Sequence, residues 1–262
     1  MTMIRNLMLA TVLAGGSAVA AGAATLPPGW TYEGNAGTAT ANGVVTAPPL
    51  HGPNYYYVST VDGASGVGAL PGVGGSGQPT NGSTATTSLF SAMAGDVLEF
   101  YFNYVTSDGA GYADYGWARL LNDVGDQVAL LFTARTTPGG NSVPGFDMPA
   151  PEATLDPASV NIHLGTVWDV LGNDSDTCFS TGCGHTGWVK SSYAIALAGD
   201  YYLQYGVTNW DDEAYASGMA IAGAKIGDVV ITPPAPVPLP ASALLLGAGV
   251  AAMGALRRRR RA

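Results

Sequence analysis

Charge is what this 262-residue sequence has least of: only 11% of its residues are Asp, Glu, Lys or Arg. That scarcity excludes long Lys/Glu-rich amphipathic helices. Basic residues are fewer still, ten in all, and six of them (Arg5, Arg257, Arg258, Arg259, Arg260 and Arg261) lie close to the two ends. The body between holds Arg119, Arg135, Lys190 and Lys225 against all nineteen acidic residues, a formal balance of −15. Such a body repels nucleic acid and anionic membranes, and leaves calcium, neutral glycans or a basic protein as partners. Catalytic signatures are missing too. There is no Gly-x-Ser-x-Gly elbow and no His-Glu-x-x-His, and the three histidines (His51, His163, His185) stand in unrelated contexts. Cys178 and Cys183 are the only cysteines, too few for a four-ligand zinc site even with His185 nearby.

What the sequence has in abundance is glycine, 37 residues, with 17 prolines. Between about residues 25 and 232 short apolar runs alternate with Gly, Pro, Asn and Asp. Residues 97–104 place Leu98, Phe100, Phe102 and Tyr104 on one face, and residues 201–207 align Tyr201, Leu203, Tyr205 and Val207. These are half-buried strands. Further strands are expected over 55–61, 116–121, 128–133, 189–196, 218–222 and 225–231. The body is therefore expected to be all-β, an antiparallel β-sandwich of jelly-roll type forming one domain over 25–232. Residues 62–83, centred on Gly72-Val73-Gly74-Gly75-Ser76-Gly77, read as a flexible loop without the Gly-Lys-Ser/Thr ending of a phosphate cradle. Residues 138–157, with five prolines, read as a second long loop.

The two ends carry addresses. Residues 1–24 have one early charge, Arg5, a short apolar core and a small-residue ending, the pattern of a secretory signal peptide that engages the translocon. Residues 233–240 form a proline-rich spacer that no packed strand tolerates. Residues 241–256 are uncharged and rich in Leu, Ala and Gly, enough for a short transmembrane helix, and the cluster Arg257 to Arg261 predicts a cytoplasmic C-terminal end.

The box Val237, Pro238, Leu239, Pro240, Ala241, followed by that apolar stretch and the arginine cluster, resembles the VPLPA variant of the PEP-CTERM sorting signal over residues 237–262. The resemblance implies processing by an exosortase-type membrane protease in bacteria with two membranes, many of which build exopolysaccharide. Val-Pro-Leu-Pro stands where the commoner form has Pro-Glu-Pro. Residues 96–120 and 200–231 also resemble body domains attached to such signals, for which no chemistry is assigned. An exported chain passes through an inner-membrane-anchored intermediate to the cell surface or extracellular space.

Three candidate sites remain. In an oxidising compartment Cys178 and Cys183 are expected to close a small disulfide loop. Asp108 and Asp114 on one glycine-containing loop, and Asp211 and Asp212 on another, offer hard oxygen ligands for calcium, although no spacing matches an EF-hand. No cofactor is otherwise required. Trp210 and Tyr215, beside the second acidic loop, are candidate glycan platforms, as are Trp117, Trp168, Trp188, Tyr112 and Tyr115; core packing is the competing use of tryptophan. The expected function is an exported, structural or adhesive, non-enzymatic protein, with a calcium-dependent carbohydrate-binding module as the alternative and a glycosidase with paired carboxylates as the third. One internal echo is visible. Gly95-Asp96 and Gly199-Asp200 each open a strand that ends in an acidic loop, through true repetition or through the ordinary use of turn-forming residues.

Overall fold

The computed structural model describes residues 26–139 and 141–233. The expected signal peptide, the sorting box Val237 to Ala241, the membrane helix over 241–256 and the arginine cluster lie outside the described residues. Among those described, no helix is long and apolar enough to cross a membrane.

The described chain folds as β1 (Thr31–Glu33), β2 (Asn35–Thr40), β3 (Asn54–Ser59), β4 (Ala64–Ser65), β5 (Pro79–Thr86), β6 (Phe90–Ala92), β7 (Val97–Thr106), β8 (Tyr115–Asn122) and β9 (Gln127–Arg135). It continues with β10 (Asn141–Val143), β11 (Thr154–Asp156), β12 (Val160–Asn161), a 3-10 segment Asp169–Asp174, β13 (Gly184–His185), β14 (Val189–Ala194), β15 (Gly199–Trp210), β16 (Ser217–Ile226) and β17 (Val229–Val230). One sheet has the order β1-β5-β15-β8-β9, with β4 on β5 and β6 on β15; the other has β11-β14-β7-β16-β3-β2, with β13 on β7 and β17 on β16. Every strand pairing between them is antiparallel. The fold is an all-β antiparallel sandwich.

Period-2 alternation builds the core. Leu98, Phe100, Phe102 and Tyr104 of β7 all point inward and are fully buried, and Tyr201, Leu203, Tyr205 and Val207 of β15 meet them from the facing sheet. Phe102 stacks on Phe132 with ring centroids 3.6 Å apart, and Phe100 meets Tyr205 edge-on at 5.6 Å. Burying each such ring contributes about 1.5–3 kcal/mol before the cost of ordering it.

Each sheet also buries part of its outer face. Tyr115, Trp117 and Trp210 point away from the central core and are covered by Leu70 and Val73 of the glycine-rich segment. That segment, expected as a flexible loop, is a packed cover with β4 and the first half of β5 inside the stretch. Its backbone accepts from Trp117 Nε1 at Gly68 O (2.7 Å), and Leu70 N donates to Tyr115 Oη (3.2 Å). The proline-rich stretch 138–157 likewise contains β10 and β11, strands of three residues each and too short to show alternation. On the other sheet, Tyr55, Trp168 and Leu171 make a second outer cluster.

β7 and β8 belong to opposite sheets, as do β15 and β16, and β7 pairs with β16 while β8 pairs with β15. The two acidic loops that the sequence echo marks are therefore neighbouring crossings between the sheets, at one end of the sandwich.

Candidate functional site

The end where those crossings meet gathers most of the residues singled out by sequence. Between the sheets, Asp114 Oδ1 accepts from Trp210 N (2.9 Å) and its Oδ2 lies 2.6 Å from Ser217 Oγ, which is itself 2.7 Å from Thr106 Oγ1. Tyr104 Oη donates to the carbonyl of Asp114 at 2.8 Å. Asp108 Oδ1 accepts from Gly109 N at 2.6 Å, while its Oδ2 is buried with no partner. Both aspartates are 1% exposed. Burial raises the pKa of Asp108 to about 7, helped by the nearby Asp212 charge, and burial together with the Asp108 charge raises that of Asp114 well above the carboxylate range.

Asp211 and Asp212 stay exposed on the second crossing; Asp212 Oδ1 accepts from Ala214 N and its carbonyl from Thr80 Oγ1. The four carboxylates expected to hold calcium thus share one end of the fold but do not converge. Both oxygens of Asp114 are taken by protein donors, and among the described residues no group of three or more His, Cys, Asp or Glu side chains is arranged to hold a metal ion.

The aromatic candidates separate into core and surface. Trp117, Trp168 and Tyr115 are buried, and Trp210, expected as a glycan platform, is only 5% exposed. The guanidinium of Arg135 lies 4.4 Å from the centre of the Trp210 ring, and Gly77 closes over its edge. A Cβ on Gly77 would lie 2.4 Å from Trp210 Nε1, so only glycine fits there. Tyr215 is half-buried and is part of a surface row: Tyr112 (40% exposed) meets Phe179 (47%) at 5.7 Å, and Phe179 meets Tyr215 at 5.0 Å.

Phe179 sits inside the loop closed by the Cys178–Cys183 disulfide, whose Cα atoms are 5.7 Å apart. That loop lies against the first crossing through Phe179 N to Ser107 O (2.9 Å) and Ala110 N to Thr181 O (3.0 Å). The disulfide therefore positions an aromatic of the row.

Three features of this chain were not signalled by sequence. Phe146 and Asp147 come from the proline-rich stretch and line a cavity of about 170 Å³ with Arg135, Trp210, Ser76 and Gly111. His163 and His185 bridge backbone to backbone, with rings 5.4 Å apart, and burial lowers the pKa of His185, helped by His163. A larger cavity, about 310 Å³, opens beside β2 against Asn42, Tyr55, Trp168 and Asp169.

No known protein family and no curated protein matches the sequence. Among solved structures, the chain is similar to the enzymatically active domain of tailspike protein 4 of bacteriophage CBA120, at 12% identity over 79% of this chain with TM-score 0.34. It spans 19% of that tailspike chain. It is also similar to a cleaved adhesin domain of Lys-gingipain from Porphyromonas gingivalis (9% identity, 75% of this chain and 90% of that one, TM-score 0.35). A third similarity is to carbohydrate-binding modules of the β-sandwich superfamily (11%, 77% and 56%, TM-score 0.29). At these TM-scores none of the likenesses carries an argument about this chain.

Proposed function

We propose that the chain is an exported, non-enzymatic protein of the cell surface or extracellular matrix, a jelly-roll-like sandwich delivered by its VPLPA-type signal and cut by an exosortase-type membrane protease. The reading is carried by the sequence order of the Val237 to Ala241 box, the apolar stretch and the cluster Arg257 to Arg261. The closed Cys178–Cys183 bridge supports it, because such bonds persist in oxidising compartments outside the cytosol. The task outside is structural or adhesive, and the crossing end with its exposed aromatic row is the face that meets a partner.

The row Tyr112, Phe179 and Tyr215 beside Asp211 and Asp212 favours one second reading, carbohydrate binding with or without calcium. Aromatic faces stack on sugar C–H faces, and carboxylates take the hydroxyls. Glycoside cleavage has less support: Asp108 and Asp114, the carboxylates that this end brings together, are buried away from any polymer.

The sorting reading is tested in the producing cell. Replacing residues 237–241, or deleting residues 257–261, is expected to leave unprocessed or mislocalised protein; unchanged size and location would overturn it.

A further inference from the structure

Arg135 is the anomaly of this acidic body. Of the other three cations, Lys190 and Lys225 both pair with Glu99 at 3.2 Å, and part-buried Arg119 bonds Gln204 Oε1 while stacking on Trp117. Arg135 is 5% exposed and makes no ion pair among the described residues. Its Nε donates to Ala113 O (2.9 Å) and its Nη1 to Gly74 O (2.8 Å), with Trp210 and Tyr115 against the guanidinium. Nη2 makes no hydrogen bond among the described residues. A buried guanidinium held this firmly, with one nitrogen unused at a cavity wall, is a site prepared for an anion.

The rest of the wall narrows the class. Asp147 lines the same cavity with its carboxylate against Gly74 and its carbonyl accepting from Gly74 N (2.7 Å), and Trp210, Ser76 and the exposed ring of Phe146 add to the lining. A ligand that fits must bring a carboxylate for Arg135 and hydroxyl donors for Asp147 on one small apolar-faced frame. We propose that this cavity is a subsite for the uronate ring of an acidic polysaccharide. The proposal rests on the surface-adhesive reading and names the ligand class of the same end of the fold. The larger cavity beside β2 offers no such unused group: Asn42 and Asp169 bond each other at 3.1 Å, and Trp168 Nε1 bonds Tyr55 Oη at 2.8 Å.

The global charge sharpens the test, because a −15 body repels a polyanion unless a specific contact holds it. Full-length chain in detergent micelles is titrated calorimetrically with trigalacturonate, its carboxyl-reduced neutral analogue, glucuronate and glucose, at about 0.05 M and 0.5 M NaCl. Trigalacturonate is expected to bind at least about tenfold tighter than the neutral analogue, without weakening at high salt. Arg135→Lys is expected to lose about tenfold through loss of the fork. Because Arg135 also braces Ala113 and Gly74, a second variant is used. Gly111→Leu places its side chain at the cavity mouth, where an added Cβ meets nothing within 4 Å, and is expected to block binding without unfolding the chain. Equal binding of acidic and neutral sugars, binding indifferent to Gly111→Leu, or no binding at all would each overturn the proposal. Any of these leaves the sorting reading standing, since that is read from the size and location of the tail variants.

Discussion

Asp114 and Ser217, 103 residues apart in sequence, meet at 2.6 Å across the open end of the sandwich, where each begins or precedes a strand that has just changed sheets. Asp114 also holds Trp210 N at 2.9 Å, so one carboxyl ties both crossings together. Asp114→Ala strands the Trp210 amide in a buried site and leaves the Ser217 hydroxyl with Thr106 Oγ1 alone, and is expected to cost about 2–4 kcal/mol in urea unfolding. Asp114→Asn keeps the shape and one acceptor, and is expected to cost less than half as much.

The core strands were legible because their alternation is strict. Leu98 to Tyr104 and Tyr201 to Val207 read as inward faces and are inward faces. β5 was hidden, because Pro79-Thr80-Asn81-Gly82-Ser83-Thr84-Ala85-Thr86 has almost no apolar member on either face. It is a strand because of its neighbour: a Cβ on Gly82 would lie 2.2 Å from Val207 O, so the missing side chain is what lets the two backbones close. At the site, the acidic loops and Tyr215 could be named from composition, but Trp210 could not be sorted between surface and core. Its cover comes from Gly77 and its cation from Arg135, far apart in sequence, and no local pattern links them. Phe146 and Asp147 were lost for the same reason, inside a stretch whose prolines gave no period.

Asp108 predicts an inverted acid response at this end. Its pKa is raised from the ordinary carboxylate value to about 7, so the folded state binds the proton more tightly than the unfolded chain. Stability from this group is fully present below about pH 4 and is lost as pH rises toward 7. At about 1.4 kcal/mol per pKa unit, and discounting for relaxation of the loop, Asp108→Asn is expected to stabilise the chain by about 1–3 kcal/mol at pH 8 and to change little at pH 4. Melts repeated with EGTA separate a bound proton from a bound cation: a proton alone leaves the parent curve unchanged.

Phe179 predicts a separation of binding from stability. Its ring is half in solvent and, among the described aromatics, touches only Tyr112 and Tyr215. Phe179→Ala is expected to shift stability by no more than about 1 kcal/mol, while weakening glycan retention on an affinity column by about tenfold. Retention equal to that of the parent chain would remove the aromatic row from the binding face.

Reduction of the Cys178–Cys183 bridge should act locally. A loop this short gains about 2 kcal/mol from cross-linking in the chain-entropy account, a modest share for a sandwich of this size. Its neighbours matter more. Phe179 N bonds Ser107 O and Ala110 N bonds Thr181 O, so the first acidic crossing borrows its order from the bridged loop. After reduction, or in a Cys178→Ser/Cys183→Ser variant, amide exchange is expected to quicken over residues 107–112 and 177–183, while β7 and β16 stay protected. If exchange instead quickened evenly through the core strands, the bridge would be bracing the whole sandwich, and the crossing end would owe its shape to Asp114 alone.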